Sequence, residues 1–467
     1  MTTTTAKTTT APLMLSISGM RGLIGLSLTP DVATRYATAF GNWLHEADHR
    51  RPGNDPTTPP HVVIGRDSRG SGPMIEHAAV AGLLAAGCRV TRVGILSTPG
   101  VAVMTDHLQA DGGMVITASH NPFPWNGIKA LRHDGVAPPP DQANDIIRRF
   151  QEHDLAFADV PSLQTATQDD TGTAIHVERV LKLVDADLIR GAKLSAVVDS
   201  VHGAGGAEAR VLLDSLGVTV HHLYAEPTGD FPHVPEPTRK NLTELCDVVK
   251  GKGADIGFAQ DPDADRLAVV DEQGTYIGEE YTLSLCALHK LGQGESVAAN
   301  LSTSRMVDDV AADVGGSVIR TPVGEANVTE GMRANGATLG GEGNGGIIDN
   351  RVSQVRDSLI GMAYLCEMLA ARKQSLSAIV AEQPSYAIVK DKADIDPAVL
   401  ETMPAKIAEA FAEQKIDTQD GVRVDWDDRW VHVRPSNTEP IIRVIAEARE
   451  QADAEQLVAQ VRTVLGL

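Results

Sequence analysis

Cysteine is scarce in this chain, which has four cysteines among 467 residues. They lie far apart, and none forms the Cys-x-x-Cys spacing that is typical of zinc sites. Neither a disulfide framework nor a structural zinc site is therefore expected. We predict that the four cysteines act as small buried hydrophobic side chains, at Cys88, Cys246, Cys286 and Cys366. Such free cysteines are typical of a reducing cytosol, so we expect a cytoplasmic protein.

Long apolar runs are also missing, and no segment reaches the roughly 20 residues needed to span a bilayer. Residues 1–12 are rich in threonine and contain neither an apolar segment nor an arginine. We expect a disordered tail there, because secretory and transit peptides require those features.

Basic residues are fewer than acidic ones, 41 against 62, which gives a formal net charge of −21. A strongly acidic surface argues against nucleic acid or an anionic membrane as a partner. A small anionic substrate is still compatible with it. Any phosphate site must then be built locally, from a few arginines, backbone N–H groups and a metal.

A strand, a polar loop, a helix and a second strand follow one another three times, starting near His61, Leu194 and Val297. Each copy ends in a proline-containing turn, of which Thr98-Pro99-Gly100 is the first. Three such units predict three α/β modules with parallel pairing through right-handed crossovers. The alternative, one large doubly wound sheet, is less favoured at this length.

The last part of the chain has a different pattern. Gln383-Pro384-Ser385 is typical of a linker, and the residues after it predict a small α+β domain. Its predicted elements are a helix over 398–414, a hairpin of 421–424 with 430–433, a strand over 441–447 and a helix over 452–465. The predicted domains are 13–168, 169–272, 273–384 and 385–467, after the tail 1–12.

The stretch Thr117-Ala118-Ser119-His120-Asn121-Pro122 follows the apolar run Met114-Val115-Ile116, which predicts a buried strand. The Asn-Pro pair forces a sharp loop, because the residue before proline is disfavoured in helical geometry. The hydroxyl of Ser119 is then presented at a corner between strand and loop. An ordinary turn-forming cluster is the alternative.

Three carboxylates alternate along Asp261-Pro262-Asp263-Ala264-Asp265-Arg266, between two apolar runs. Alternate residues of an extended segment face one side, and oxygen ligands of this kind select Mg²⁺ or Ca²⁺. An EF-hand is disfavoured, because its sixth position needs glycine and is Arg266 here, and because Leu267–Val270 is typical of a strand. A solvated acidic loop is the other alternative.

Five glycines occur in the seven residues Gly340–Gly346, together with Glu342 and Asn344. Glycine lets a ligand approach the backbone closely, and the two side chains offer acceptor and donor groups suited to sugar hydroxyls. A flexible glycine loop is an equally good interpretation of this stretch.

A second polar stretch, Arg434-Pro435-Ser436-Asn437-Thr438-Glu439-Pro440, lies between two predicted strands, with Arg443 in the second strand. Its arginine, hydroxyls, amide and loop N–H groups are the donors from which phosphate sites are built. A polar turn is the alternative.

Together these stretches resemble the α-D-phosphohexomutase family, which includes phosphoglucomutase, phosphomannomutase and phosphoglucosamine mutase. The likeness covers the chain after the tail, and the stretches around Ser119 and Asp261 are its most specific parts. It implies three related α/β modules and a C-terminal α+β domain around a central cleft. It also implies transfer of a phosphoryl group between O6 and O1 of a hexose phosphate, through a phosphoserine enzyme and a sugar 1,6-bisphosphate.

The resemblance assigns roles residue by residue. Ser119 would carry the phosphate, and Mg²⁺ would be held by that phosphate and by Asp261, Asp263 and Asp265. Lys129 would assist proton transfer, while Arg21, Arg266 and His120 would support the phosphoserine side. Glu342 and Asn344 would hold the sugar, and the phosphate that is not transferred would bind to Arg434, Ser436, Asn437, Thr438 and Arg443.

The sequence departs from many members of this family at two places. Where they carry Gly-Glu-x-Ser-Gly-His, this chain has Asn344 and Gly346, and where they carry Lys-Val-Gly-His it has Pro322-Val323-Gly324-Glu325. Both changes remove groups that contact sugar or ester phosphate. The Gly-Glu-Gly-Asn-Gly-Gly form resembles a bacterial branch of phosphoglucosamine mutases or broad phosphoglucomutase/phosphomannomutases.

We therefore expect a phosphoglucosamine mutase, with a broad phosphoglucomutase/phosphomannomutase as the alternative. A metal-dependent sugar phosphatase would share the aspartates without needing the glycine stretch or a second phosphate site. A non-catalytic sugar-phosphate-binding regulator would not need Ser119 and Lys129. The sequence is compatible with a monomer or a homodimer.

Overall fold

Four β-sheets form the framework of the protein and follow one another along the chain. The computed structural model describes residues 12–394, 397–435 and 441–467. The first sheet contains four parallel strands and the second and third contain three each, whereas the fourth sheet is antiparallel. The predicted fold class, three α/β modules and a C-terminal α+β domain, is confirmed.

The first unit begins with a hairpin. Its two strands are paired because Gly19 has a φ of +101° and its missing Cβ leaves room for the backbone of Ile128. The elements are β1 (Met14–Ser16), β2 (Gly19–Leu23), α1 (Pro30–Leu44), a 3-10 helix (Ala47–His49), β3 (His61–Arg66), α2 (Gly72–Ala85), β4 (Arg89–Ile95), α3 (Thr98–His107), β5 (Gly112–Ile116), β6 (Trp125–Arg132), α4 (Pro140–Glu152), a 3-10 helix (Val160–Ser162) and β7 (Ala166–Gln168). The seven strands lie in the order β1-β2-β6-β5-β3-β4-β7.

The second and third units each contain a sheet of four strands. The second consists of α5 (Gly172–Leu181), α6 (Ala186–Ala192), β8 (Ser195–Asp199), α7 (Gly205–Ser215), β9 (Thr219–Leu223), a 3-10 helix (Arg239–Asn241), α8 (Thr243–Lys252), β10 (Ile256–Gln260) and β11 (Leu267–Asp271). The third consists of α9 (Glu280–Lys290), β12 (Val297–Asn300), α10 (Met306–Asp313), β13 (Val318–Thr321), α11 (Glu325–Asn335), β14 (Leu339–Glu342), β15 (Gly346–Asp349), α12 (Ser358–Arg372) and α13 (Leu376–Ala381).

The repeat predicted from the sequence has the same strand order in all three units. The order is β4-β3-β5-β6 in the first sheet, β9-β8-β10-β11 in the second and β13-β12-β14-β15 in the third. In each, the last strand named is antiparallel to its neighbour. The turn that leads into this antiparallel strand therefore occupies the same place in each sheet.

The proline-containing endings of the repeats differ from the prediction. Thr98-Pro99-Gly100 forms the first turn of α3 rather than a closing turn, because proline is tolerated at the first positions of a helix and Ser97 caps it. Glu325 likewise begins α11 directly after Gly324. Only the second ending, near Pro227, leads into a longer loop.

The C-terminal unit is a five-stranded antiparallel sheet in the order β16-β20-β19-β18-β17. The predicted hairpin, the strand after it and both helices are present. Two additional strands are present, β16 directly after the predicted linker and β17 before the hairpin. The elements are β16 (Ala387–Asp394), α14 (Pro397–Ala410), β17 (Lys415–Asp417), β18 (Val422–Asp425), β19 (Trp430–Pro435), β20 (Ile441–Ala448) and α15 (Gln451–Leu465).

The cores of the second and third units are continuous, since a single cluster of buried side chains runs from β8 through α9 to α12. Residues Ser358–Ala370 of α12 are all buried, which explains why this segment is mostly apolar, with Glu367 paired to Lys290 as its one charged residue. The first and last units have separate clusters. Within the part of the chain that the structure describes, no helix has the length and apolar character to cross a membrane.

Candidate active site

The serine loop, residues 117–124 between β5 and β6, holds Ser119 with a φ of 49°, a left-handed conformation that only surrounding contacts can maintain. The N–H of Ser119 donates to Oγ1 of Thr117 at 2.9 Å, and that hydroxyl donates to Asp67 at 2.7 Å. Arg69 pairs with Asp67 at 3.0 Å and donates to the carbonyl oxygen of Ser119 at 2.6 Å. Both charged side chains are fully buried, so this pair fixes the loop.

The aspartate loop, residues 261–266 between β10 and β11, brings three fully buried carboxylates together. One oxygen of each lies within 4.8 Å of the others in the group Asp261, Asp263 and Asp265. The hydroxyl of Ser119 donates to Oδ2 of Asp261 at 3.0 Å, so the serine and aspartate loops meet in one site.

The donor set of the aspartate loop fits a divalent cation. Oδ1 of Asp263 and Oδ1 of Asp265 are buried and have no hydrogen-bond partner, which is costly unless a cation is bound. Carboxylate oxygens are the ligands that Mg²⁺ prefers. The EF-hand alternative is excluded, because Leu267–Asp271 is a paired strand and Glu272 accepts hydrogen bonds from Ser377 instead.

Burial and like charge perturb this cluster. Burial raises the pKa of Asp261 well above its ordinary value, and the charges of Asp265 and Asp263 add to the effect. Burial acts in the same direction on Asp263 and Asp265, but Lys129 outweighs it for the first and Arg356 for the second, so each pKa lies below its ordinary value. Asp263 and Asp265 are therefore held ionised by neighbouring cations, while burial and the other two carboxylates favour the neutral form of Asp261.

Lys129, on β6, reaches the aspartate loop from the first unit. Its Nζ lies 2.6 Å from Oδ2 of Asp263 and 3.5 Å from Oδ2 of Asp265. Burial lowers the pKa of Lys129, but these carboxylates raise it further, so the group holds its proton. Thr98, at the start of α3, donates its hydroxyl to Asp263 at 2.7 Å and its N–H to the Asp263 carbonyl at 2.9 Å.

The two arginines predicted for the phosphoserine side lie around the same loops. Arg21, on β2, donates to Oδ1 of Asn121 at 2.7 Å, and burial lowers its pKa. The guanidinium of Arg266 is 3.8 Å from Oδ1 of Asp265, and its Nε is buried without a hydrogen-bond partner. Both cations are therefore positioned beside the serine loop, and Arg266 retains an unused donor.

His120 follows Ser119 directly, and its Nδ1 lies 3.3 Å from the serine hydroxyl. Burial and the charges of Arg266 and Arg21 lower the pKa of His120 to about 3. The imidazole is therefore neutral at neutral pH and can accept or donate one hydrogen bond at the serine oxygen.

The glycine-rich stretch forms a hairpin of residues 339–349, which we call the glycine hairpin. The alternative interpretation, a flexible loop, is not supported, because β14 and β15 pair directly. Glu342 is buried and accepts from Nδ2 of Asn300 at 2.7 Å, while Asn344 donates to its other oxygen at 3.3 Å. A Cβ at Gly343 would lie 1.9 Å from Oε2 of Glu280, so a larger residue there would displace the Glu280 carboxylate.

Arg356, in the loop before α12, connects the glycine hairpin to the aspartate loop. Its Nη1 donates to Glu342 at 2.5 Å and its Nη2 to Asp265 at 2.6 Å. Its Nε lies 3.0 Å from Oε2 of Glu325, so one side chain contacts three carboxylates. Arg356 also outweighs burial at Glu342 and lowers the pKa of that carboxyl.

Arg434 ends β19 and pairs with Asp420 at 3.0 Å, and the same carboxylate accepts the N–H of Val323 in the third unit. Arg443, exposed on β20, is the direct cross-strand partner of Arg434. Two arginines at facing positions repel each other unless an anion is near. The other predicted phosphate-binding residues, Ser436, Asn437 and Thr438, lie outside the described residues.

Comparison with known proteins identifies this arrangement. Sequence profiles of the phosphoglucomutase/phosphomannomutase family match residues 14–157 for α/β/α domain I, 174–274 for domain II, 278–386 for domain III and 386–464 for the C-terminal domain. The chain belongs to this family, the α-D-phosphohexomutases. It is accordingly a phosphomutase, an isomerase that transfers a phosphoryl group.

Relatives of this phosphohexomutase match over nearly their whole length. A probable phosphoglucosamine mutase of Methanopyrus kandleri is 37% identical over 450 residues, which cover 94% of this chain and 95% of the relative. A phosphoglucomutase/phosphomannomutase of Thermococcus kodakarensis is 37% identical over 443 residues, with 94% and 95% covered. The crystal structure of a phosphoglucomutase/phosphomannomutase family protein from Burkholderia thailandensis superposes with a TM-score of 0.82 at 29% identity, covering 97% of this chain and 98% of that one.

Several residues that build the site of this phosphohexomutase were missed in the sequence. Asp67 and Arg69 lie in a stretch interpreted only as a polar loop, and Thr98 was assigned to a turn. Arg356 carried no signal by itself, although Arg-Asp-Ser before an apolar run is a helix start with a capping aspartate, and Asp357 does accept the N–H of Leu359. Their roles come from partners that are distant in the chain.

Proposed function

We propose that this phosphohexomutase moves a phosphoryl group between O6 and O1 of a hexose phosphate, with Ser119 as the phosphate carrier. The observation that supports this assignment is the 3.0 Å hydrogen bond from the Ser119 hydroxyl to Asp261. It brings the nucleophile of the first unit to the carboxylate cluster of the second. A transferring phosphate at this point would lie among groups that can neutralise its charge.

In the proposed cycle, phosphoserine 119 gives its phosphoryl group to the free hydroxyl of a hexose phosphate. The sugar hydroxyl loses its proton, a P–O bond forms to the sugar oxygen, and the bond to the serine oxygen breaks as that oxygen is reprotonated. The product is a sugar 1,6-bisphosphate, which reorients and returns its other phosphoryl group to Ser119. Atoms and charge balance over the two half-reactions.

Mg²⁺, bound by Asp261, Asp263 and Asp265 and by the phosphate of the serine, would neutralise the charge on the phosphoryl oxygens. Lys129 is held beside these carboxylates as an ammonium, so its Nζ holds a proton at the aspartate loop, which the Ser119 hydroxyl also contacts. His120 offers a neutral nitrogen to the same oxygen. These groups supply positioning and proton exchange, while the phosphoryl group itself needs little covalent help.

The rest of the substrate would be held by the third and fourth units. Glu342 and Asn344 offer an acceptor and a donor to sugar hydroxyls from the glycine hairpin. Arg434 and Arg443, which face each other across two strands, would bind the phosphate that is not being transferred. Because the sugar turns over between half-reactions, this second site must accept either end of the bisphosphate.

Glucosamine phosphate is the proposed substrate, so the reaction would convert glucosamine 6-phosphate into glucosamine 1-phosphate. The name of the Methanopyrus kandleri relative supports this choice. Broad phosphoglucomutase/phosphomannomutase activity is the second candidate, because the Thermococcus kodakarensis relative carries that name at the same 37% identity. We infer a cytoplasmic enzyme with hexose phosphates as its small-molecule partners.

The test is a comparison of kcat/KM for the 6-phosphates of glucosamine, glucose and mannose, with Mg²⁺ and a trace of the cognate 1,6-bisphosphate. Glucosamine 6-phosphate should be preferred by tenfold or more, about 1.4 kcal/mol in transition-state binding. Equal rates on glucose and mannose phosphates would favour the broad enzyme. Release of inorganic phosphate without isomerised product would indicate a phosphatase, and binding without turnover would indicate a regulator.

A further inference from the structure

Two departures from the pattern of many phosphohexomutases meet at one side chain. Glu325 stands where those members have a histidine in the third unit, and Gly346 where they have the histidine of the glycine hairpin. The carboxylate of Glu325 lies 3.0 Å from Nε of Arg356. A Cβ at Gly346 would lie 2.1 Å from Cδ of Arg356, so any side chain there would displace the arginine.

The backbone of Gly346 has no left-handed conformation that would itself demand glycine, since its φ is not positive. The absence of a side chain at this position is therefore explained by the room that Arg356 occupies. In the same way, an acidic residue at position 325 is explained by the guanidinium beside it. Glu325 and Gly346, distant in sequence, thus both border the side chain of Arg356.

Asp265 and Glu342, two of the carboxylates that Arg356 contacts, differ in the partners that they would keep without it. Asp265 keeps two other cations as neighbours, Lys129 at 3.5 Å and Arg266 at 3.8 Å. Among its described hydrogen-bond partners, Glu342 keeps only neutral donors, which are the side-chain amides of Asn300 and Asn344 and the N–H of Gly324. Because hydrogen bonds from charged donors are stronger than those from neutral ones, the orientation of Glu342 depends more strongly on Arg356 than that of Asp265 does.

We propose that Arg356 is a positioning residue that fixes Glu342 for sugar binding, and that Glu325 and Gly346 are adapted to hold it. The role of Glu342 in sugar binding rests on the proposed function. The fork of the guanidinium matters, because its two Nη groups donate to Glu342 and Asp265 at once while its Nε lies beside Glu325, whereas a lysine ammonium would satisfy these carboxylates less completely. Arg356 thereby ties the glycine hairpin to the aspartate loop through a group that does not contact the reacting atoms.

Adaptation of Gly346 to Arg356 is tested by a double-mutant cycle with Gly346→Ala and Arg356→Ala. The single Gly346→Ala change should lower the apparent Tm and raise KM, because the new methyl group pushes the arginine away. In the Arg356→Ala background the same change should have almost no further effect on either quantity. Equal effects of Gly346→Ala in both backgrounds would overturn the proposal. The Tm readout needs no substrate, so it stands even if glucosamine phosphate is not the substrate.

The positioning role is tested with Arg356→Lys, which keeps the charge and protects against a folding failure of the alanine variant. KM for the best hexose phosphate should rise by about tenfold, while kcat and the Mg²⁺ affinity measured by calorimetry change by less than about threefold. Arg351→Lys is the matched control, since Arg351 pairs with Asp349 in the same loop and has no contact to Glu342 among its described partners. A loss confined to kcat, equal losses in KM and Mg²⁺ affinity, or the same change in the control would overturn the proposal.

Discussion

The hydroxyl of Ser119 lies 3.0 Å from Oδ2 of Asp261, a residue 142 positions further along the chain. The serine loop follows the third parallel strand of the first sheet, and the aspartate loop follows the third parallel strand of the second. The turn of the glycine hairpin occupies the same place in the third sheet. Three copies of one topology thus each contribute one loop to a shared site, at the carboxyl ends of parallel strands, where α/β folds commonly bind ligands.

Replacement of the nucleophile, Ser119→Ala, should abolish mutase turnover, because the hydroxyl is both the proposed phosphate carrier and the contact to Asp261. Removing a nucleophile commonly lowers kcat by several orders of magnitude. The measurement is the rate of conversion of hexose 6-phosphate to 1-phosphate. Ser162→Ala, at an exposed serine of the same unit, is the control and should retain wild-type activity.

Intact mass provides a second readout for the same variant. Wild-type protein treated with a sugar 1,6-bisphosphate should gain the mass of one phosphate, and Ser119→Ala should gain none. If the variant kept more than about a tenth of the activity, equivalent to roughly 1.4 kcal/mol, Ser119 would not be the carrier.

The charge of the aspartate loop is tested by Asp263→Asn, which removes one of its three carboxylates. The affinity for Mg²⁺ should fall and activity should recover in part at high Mg²⁺, because an amide oxygen is a weaker ligand than a carboxylate. Glu272→Gln is the control, since Glu272 bonds Ser377 away from the cluster. Full activity of the wild type in EDTA would contradict a metal at this site.

The site could be predicted from sequence where local chemistry identifies a loop. Asn121-Pro122 forces a turn after an apolar strand, and the alternate aspartates after another strand indicate a cation site. Three repeats could be recognised for the same reason, since strand and helix periodicities are local. Strand β2 could not be recognised from the sequence, because its pairing depends on a close approach of Gly19 to β6, which is more than 100 residues away.

What could not be predicted depends on contacts between distant segments. Arg69 bonds the carbonyl of Ser119 across 50 residues, and Arg356 bonds Asp265 across 91. The residues next to Arg356 in the sequence do not indicate that it would contact Asp265 or Glu342. A buried charged group is identified only when the fold brings its counterions together, so these supporting residues became visible with the structure.

The proposed site for the phosphate that is not transferred is tested by Arg434→Ala. The contact of Arg434 with this phosphate should stabilise the ground state and the transition state equally, so its removal should mainly raise KM. A charge-assisted hydrogen bond contributes roughly 1.5–3 kcal/mol, so kcat/KM should fall about ten- to a hundredfold. Release of sugar bisphosphate into solution should increase as well, because the intermediate is held less firmly while it reorients.

Arg429→Ala is the matched control for that experiment, since Arg429 lies in the same unit and pairs with Asp428. It should leave KM and bisphosphate retention unchanged. An unchanged KM for both the 1- and the 6-phosphate in Arg434→Ala would instead mean that Arg434 serves only its ion pair with Asp420.

A buried histidine joins the three α/β units behind the site. Nδ1 of His176, on α5, lies 2.7 Å from Glu208 and its Nε2 2.8 Å from Asp357, next to Arg356. Glu208 also accepts the N–H of Ser97, at the start of α3 in the first unit. Burial alone would lower the pKa of His176, but the two carboxylates outweigh it and raise the pKa to about 10.

The last prediction concerns the pH dependence of stability. Because the pKa of His176 is raised in the folded state from about 6.5 in the unfolded chain, its protonated form stabilises the fold fully below pH 6.5, and this contribution is lost as pH rises towards 10. His176→Gln should destabilise the protein by roughly 3–5 kcal/mol at pH 6, as expected for breaking a buried ion pair, and the difference from wild type should shrink steadily between pH 7 and 10. Chemical unfolding of both proteins across that range measures it, with the exposed His77→Gln as a control that should follow the wild type. A wild-type advantage that stayed constant from pH 6 to 10 would mean that His176 is neutral in the fold and that its two contacts are ordinary hydrogen bonds.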